Sequence, residues 1–165
     1  MEEKMRGIWR MNLLPGGKNA FGFCYQEGII GIDSKTYKES LQIRESVGGF
    51  FHMKDEDLVL VRNSSSQDYH GQTRLYLGEI KGERKESASQ RDPGKYTKFK
   101  ITNFFECPLH EVRSSDMDEA VEAYYESRLV REWRDKYPRG AVERVRDPDE
   151  RGLTETIWQQ MLHKI

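Results

Sequence analysis

Short apolar runs, each cut off by glycine or proline, follow one another in an order that restricts this chain to a mixed fold. Arg6 to Leu13 alternates Ile8, Arg10 and Asn12 with Trp9, Met11 and Leu13, the period of a strand with one buried face. Pro15-Gly16-Gly17 ends it. Asn19 to Glu27 then sets Phe21, Cys24 and Tyr25 at helical spacing, with Gly28 placed as the residue after the helix, where glycine relieves the left-handed turn. Ile29-Ile30-Gly31-Ile32-Asp33 is a short β-branched run. The opening therefore reads strand, helix, strand.

Ser34 to Ser46 carries Tyr37, Leu41 and Ile43 at a spacing compatible with a second helix, broken by Val47-Gly48-Gly49. Phe50 to Asp57 leads into Leu58-Val59-Leu60-Val61-Arg62, a polar tract from Asn63 to Gln72 reads as a loop, and Thr73 to Lys81 resumes with Leu75, Leu77 and Ile80. Two strands joined by a polar loop make a hairpin. Gly82 to Gly94 is expected to be a long loop turning at Gln90-Arg91-Asp92-Pro93-Gly94, and Lys95 to Phe105 alternates as a further strand that runs on to Leu109. Ser115 or Asp116 caps a helix marked by Met117, Val121, Tyr125, Leu129 and Trp133, and Tyr137-Pro138 stops it. Thr154 is expected to cap a last helix presenting Ile157, Trp158, Met161, Leu162 and Ile165, after a charged, exposed link from Arg139 to Gly152. At 165 residues the chain fits a single domain, residues 1–165.

With 33% charged and 36% hydrophobic residues the chain is too polar for a membrane protein, and its 11% aromatic content is too high for a disordered one. No stretch approaches the roughly 18 apolar residues of a membrane span, and Met1-Glu2-Glu3-Lys4 lacks the apolar start of a signal peptide. The expected compartment is the cytoplasm. Cys24 and Cys107 sit in apolar surroundings without metal-ligand spacing and read as buried thiols. Neither a cofactor nor a metal is expected.

The net charge of −1 argues against nucleic acid, since phosphate binding ordinarily shows as a basic balance. The charge is uneven, however. Residues 81–103 hold seven bases against three acids, and residues 116–150 hold eleven acids against seven bases. Arg84, Lys85, Arg91, Lys95, Lys98 and Lys100 are the candidate contacts to a phosphate backbone, with Tyr96, Lys98 and Lys100 on one face of a strand.

Four stretches carry a resemblance: Ile8-Trp9-Arg10-Met11, Gly28-Ile29-Ile30-Gly31-Ile32, Met53-Lys54-Asp55-Glu56-Asp57-Leu58-Val59-Leu60-Val61, and Leu75-Tyr76-Leu77-Gly78-Glu79-Ile80. In this order they resemble the EVE and YTH branch of the PUA-like superfamily, over about Met5 to Phe105. The resemblance implies an α+β fold, a curved β-barrel flanked by helices, with the core at about residues 5–110 and two further helices in a C-terminal extension at about 115–165. The chain is also similar to the N-terminal specificity modules of McrB-type, modification-dependent restriction systems. Such modules bind nucleic acid, here DNA in preference to RNA, evert a modified base into an aromatic pocket, and work beside an ATPase or nuclease effector; no membrane is involved.

On this chain the resemblance places that pocket at Trp9, Met11, Ile32, Asp33, Ser34, Phe50 and Phe51. YTH proteins set a cage tryptophan near the second strand, and here Gly31-Ile32-Asp33-Ser34 stands instead, so a methyl-adenine cage is not implied. Asp33 and Ser34 suit the edge of a base, because a carboxylate accepts from an amino group and a hydroxyl does either.

Two other classes compete. Asp57 with Glu79-Ile80-Lys81 imitates the acid, acid-x-lysine pattern of Mg²⁺-dependent nucleases, although Asp57 equally suits a turn. A protein-interaction or small-ligand module would use the acidic helix 116–136. No Gly-rich phosphate loop, His-Glu-x-x-His or nucleophile elbow is present, and Tyr69 and His70 fall in a polar loop.

Overall fold

The computed structural model describes residues 6–11, 21–32, 49–67, 73–86, 101, 103–112 and 142–163. Along the chain these form β1 (Ile8–Met11), α1 (Phe21–Glu27), β2 (Ile29–Ile32), the single turn α2 (Gly49–His52), β3 (Leu58–Gln67), β4 (Thr73–Glu79), β5 (Lys81–Glu86), β6 (Asn103–Glu106), β7 (Leu109–Glu111), β8 (Val142–Arg144) and α3 (Pro148–Leu162). The class is α+β. Strands pair into a five-stranded sheet of order β7-β4-β3-β1-β8 and a three-stranded sheet of order β2-β6-β5. The larger sheet is mixed, because β1 runs parallel to β3 while β4, β7 and β8 pair antiparallel. Among the described residues neither sheet closes on itself, so the expected barrel is there a pair of sheets.

Leu58-Val59-Leu60-Val61 shows how one run of sequence serves two cores. Side chains alternate across a strand, and Val59 and Val61 join a cluster with Trp9, Met11, Ile30, Phe50, Phe105 and Cys107. Leu58 and Leu60 join another with Ile8, Leu75, Leu77, Ile157, Trp158 and Met161. The five-stranded sheet is thus covered on both faces, by the small sheet with α1 on one side and by α3 on the other. No helix among the described residues is long and apolar enough to cross a membrane.

Two-sided burial overturns the reading of β1 as a strand with one wet face. All of Ile8 to Met11 is buried, since β3 and β8 flank the strand and α3 covers its second face. Arg10, only 7% exposed, then needs a counter-charge, and α3 provides it. Its Nη2 donates to Glu150 Oε1 and Oε2 at 2.6 Å each and its Nε donates to Oε1 at 3.1 Å. Burial pushes the Glu150 carboxyl above its usual value, against the lowering by Arg10. Around this pair lie weaker links: Arg6 bridges Glu155 at 2.9 Å and Glu79 at 2.6 Å, and Arg151 donates to the carbonyls of Arg6 and Val145.

The helix start also differs from expectation. Asp147, not Thr154, caps α3: its Oδ2 accepts from the Glu150 N–H at 2.9 Å, and Pro148 follows in the first turn, where its missing N–H costs nothing. Thr154 is inside the helix, buried, and donates back to the Glu150 carbonyl. Ile157, Trp158 and Met161 face the core as expected, whereas Leu162 is exposed.

Three further expectations change. The tract 139–152 contains β8 and the start of α3 rather than a bare link. The serines after Asn63 continue β3 to Gln67, past an irregularity in register. Lys81–Glu86 is strand β5, paired with β6, where the preceding strand was expected to end at Lys81 and a loop to start at Gly82; it carries no apolar residue and so no readable period. The hairpin itself is present, with Leu58 opposite Glu79 and Leu60 opposite Leu77. Cys24 and Cys107 are free and buried, and burial pushes both thiols up to about 12. The expected helices at 34–46 and 115–137 lie outside the described residues, as do 95–100 and 102 of the strand expected from Lys95 to Leu109; of the remainder, 103–106 form β6 and Leu109 opens the separate strand β7.

Removing one partner of a buried ion pair strands the other charge, at a cost of about 3–5 kcal/mol, while replacing both by apolar groups is nearly neutral. Arg10→Met should therefore lower unfolding free energy by about that amount in urea denaturation. Adding Glu150→Leu should recover most of the loss; a double variant as unstable as the single one would show that packing, not charge, sets the cost.

Candidate nucleic-acid interface

Asp57 ties the start of β1 to the start of β3. Its side chain, 2% exposed, accepts from the Gly7 N–H at 2.8 Å, from Trp9 Nε1–H at 3.0 Å and from the Lys54 N–H at 3.1 Å. A Cβ on Gly7 would come within 2.7 Å of both Asp57 Oδ2 and Trp9 Nε1, so only glycine lets the two segments approach. The preceding Glu56 holds φ at 75°, in the left-handed region. Its N–H donates to the Ile80 carbonyl and its carbonyl accepts from Arg6 Nη1, which fixes the turn.

This geometry bears on the nuclease pattern. Asp57 is occupied by three N–H donors, and Glu79 pairs with Arg6 and, at 3.8 Å, with Lys81. Asp57 thus fills the role of a turn and strand-entry acceptor. No group of three His, Cys, Asp or Glu side chains that could hold a metal comes together among the described residues.

The residues expected to wall a base pocket fall into two sets. Trp9, Met11, Ile32 and Phe50 come together in one hydrophobic cluster, with exposures of 4%, 0%, 2% and 0%. Phe50 packs at 5.2 Å, ring to ring, on Phe105. The Arg144 guanidinium lies 5.6 Å from the centre of the Trp9 ring, so a base could stack there only in its place. These rings sit in the core. Phe51 belongs to α2, a helical turn instead of the strand whose alternation would separate it from Phe50. Asp33 and Ser34 lie outside the described residues, as do Arg91, Lys95, Lys98, Lys100, Tyr69, His70, Tyr96 and Trp133.

What the structure does locate is where those segments attach. Ile32, the last residue of β2, is opposite Asn103, the first of β6, and Asn103 is opposite Glu86, the last of β5. Asp33 follows Ile32 directly, and the segment holding Arg91, Lys95, Lys98 and Lys100 leaves from Glu86 and returns to Ile101. Ile101 is 1% exposed, and its Cγ2 would be 2.3 Å from a Cβ on Gly31. One end of the three-stranded sheet is therefore the root of both the base-edge candidates and the cationic segment.

At this end Arg84 Nη1 donates to Asn103 Oδ1 and, at 3.3 Å, to Glu86 Oε1, whereas Lys85 reaches away from it to pair with Glu106, at the other end of β6, at 2.7 Å. Lys85 and Glu106 are each about half exposed. Such surface pairs are worth about 0–1 kcal/mol.

Two residues escape sequence reasoning. Arg144 belongs to the tract read as a link, and nothing in its spacing announces the Trp9 ring. Tyr25 shares its helical spacing with the buried Phe21 and Cys24, yet it is 49% exposed, stacked on Phe21 at 5.7 Å and edge-on to Tyr76 at 5.5 Å. Comparison of the chain with protein-family models gives no match, and no curated protein matches it.

Asp57→Ala removes the acceptor of three buried or half-buried N–H groups, each costing about 1–3 kcal/mol when left unpaired. The variant should lose at least about 3 kcal/mol of stability in chemical denaturation. Wild-type melting temperature should be indifferent to Mg²⁺; a rise on adding Mg²⁺ that disappears in the variant would instead make Asp57 a metal ligand.

Proposed function

We propose that this chain is a PUA-like, EVE/YTH-type domain that binds nucleic acid, DNA in preference to RNA, and reads a modified base as the specificity module of a modification-dependent defence system. The observation that carries the reading is the shared root of two segments at one end of the small sheet. There the register Ile32, Asn103, Glu86 brings the stem of Asp33 and Ser34 beside the stem of the cationic segment. A reader of this kind needs both: cations that hold phosphates without regard to sequence, and polar groups that sense a base edge.

The order strand, helix, strand, then hairpin also supports the reading, since it is the order in which the family-like motifs occur. The two sheets are then the described portion of the curved barrel. Recognition proceeds by eversion. Taking a base out of the stack costs a few kcal/mol, and stacking it on an aromatic ring returns about 1–3 kcal/mol. Asp33 and Ser34 discriminate, because a carboxylate facing a substituent it cannot bond loses a contact worth about 1–3 kcal/mol. Trp9 and Phe50 act from behind as the rigid floor, their rings held by Asp57 and Phe105. Cleavage belongs to an effector on another chain.

The tests separate the two contributions. Lys98→Ala with Lys100→Ala should weaken binding to modified and plain oligonucleotides alike and reduce the slope of log Kd against log salt by about 1.4–1.8, the loss of two phosphate contacts. An unchanged slope would remove these lysines from the interface. Asp33→Ala should leave the slope intact and reduce the preference for the modified oligonucleotide by about tenfold; equal loss on both ligands would assign Asp33 another role.

A further inference from the structure

Arg144 is exposed and, among the described residues, makes no hydrogen bond and no ion pair. By contrast, Arg6, Arg10, Arg74, Arg84 and Arg151 each donate to a carboxylate, amide or carbonyl oxygen. What holds Arg144 is the Trp9 ring, with the guanidinium 5.6 Å from its centre, inside the roughly 6 Å reach of a cation–π contact. Trp9 and Arg144 are opposite each other in the β1–β8 ladder, so their side chains share one face. The ring is itself fixed, being 4% exposed and bonded through Nε1–H to Asp57.

We propose that Arg144, seated on Trp9, binds a backbone phosphate of the nucleic acid, an assignment that rests on the reading above and adds a contact to it. Stacking occupies the face of a guanidinium and leaves its in-plane N–H groups open to a phosphate. A seat on a fixed ring also lowers the freedom that the side chain gives up on binding. The location agrees with the chemistry. β8 is the outer strand of its sheet, and α2, the turn that carries Phe50 and Phe51, packs against it. Val142 of the same strand is opposite Met11. β8 therefore borders Trp9, Met11 and α2, where the resemblance puts much of the base pocket.

Two carboxylates close to this place are already engaged. Asp57, at the edge of the Trp9 ring, accepts from three N–H groups. Glu143, the residue before Arg144, is opposite Arg10 and pairs with it at 3.5 Å on the other face of the strand. Lys54, whose N–H meets the same Asp57 oxygen as the indole, is exposed and enters no ion pair among the described residues. A phosphate held by Arg144 fixes the position of the nucleic acid and carries no sequence information.

The test is binding of a plain, unmodified oligonucleotide by the full chain across a range of salt, with melting temperature measured alongside. Arg144→Gln should raise Kd by about tenfold and reduce the slope of log Kd against log salt by about 0.7–0.9, the loss of one phosphate contact. The same variant should lose as much on a modified oligonucleotide. Arg144→Lys keeps the charge without the planar fork, so it should restore the slope and only part of the affinity. An unchanged slope in Arg144→Gln, whatever its melting temperature, would make Arg144 a structural cover for Trp9 and overturn the assignment. A loss confined to the modified oligonucleotide, or a lysine variant no better than the glutamine one, would overturn it as well. In each of these cases binding by the wild type leaves the nucleic-acid reading standing, whereas a wild type that binds no oligonucleotide overturns both.

Discussion

The Asp57 carboxylate fixes the geometry on which the rest of the structure is built. It lies where the turn enters β3 and reaches across to β1, taking the Gly7 amide and the Trp9 indole as donors. That contact sets Trp9 opposite Val59 and Ile8 opposite Leu58 in a parallel pair. Parallel neighbours have no tight turn to set their register, and a slip of one residue would turn Trp9 and Met11 out of their cluster. Gly7 is part of the same device, because any side chain there would collide with both partners.

Once β1 is held inside the sheet, its second face must be covered. Ile8 is met by apolar residues of α3, and Arg10 by Glu150. A buried ion pair is weak evidence for stability, since desolvation offsets most of its attraction. What it supplies here is a rotational setting: bidentate contact between a fixed guanidinium and a carboxylate admits one seating of the helix. Asp147 and Pro148 start the helix where Glu150 comes into place, so a local capping signal and a distant strand agree on the same residue.

The three-stranded sheet presents a different balance. Its strands β2 and β6 are apolar, with Ile29, Ile30, Phe104 and Phe105 in the core, and its strand β5 is charged at every position but Gly82. Function is proposed at one margin of this sheet, with base and phosphate contacts at the end where β2 stops.

The sequence by itself determined the local pieces. The β1, α1 and β2 segments, the hairpin and the core stripe of the last helix were legible because each depends on periodicity, glycine or proline within a few residues. It equally showed that Cys24 and Cys107 are buried thiols. Tertiary structure alone decided what depends on partners far along the chain. Alternation in Arg6 to Leu13 cannot reveal a second covered face, because the cover comes from residues 148–162. Lys81–Glu86 carries no apolar signal, so only its pairing with β6 makes it a strand. The resemblance puts Trp9 and Phe50 at a pocket, and it is Asp57, Arg144 and Phe105, remote in sequence, that place these rings inside. The candidate site was legible as residue types but not as a place, since its root is a register among three strands that no single stretch encodes.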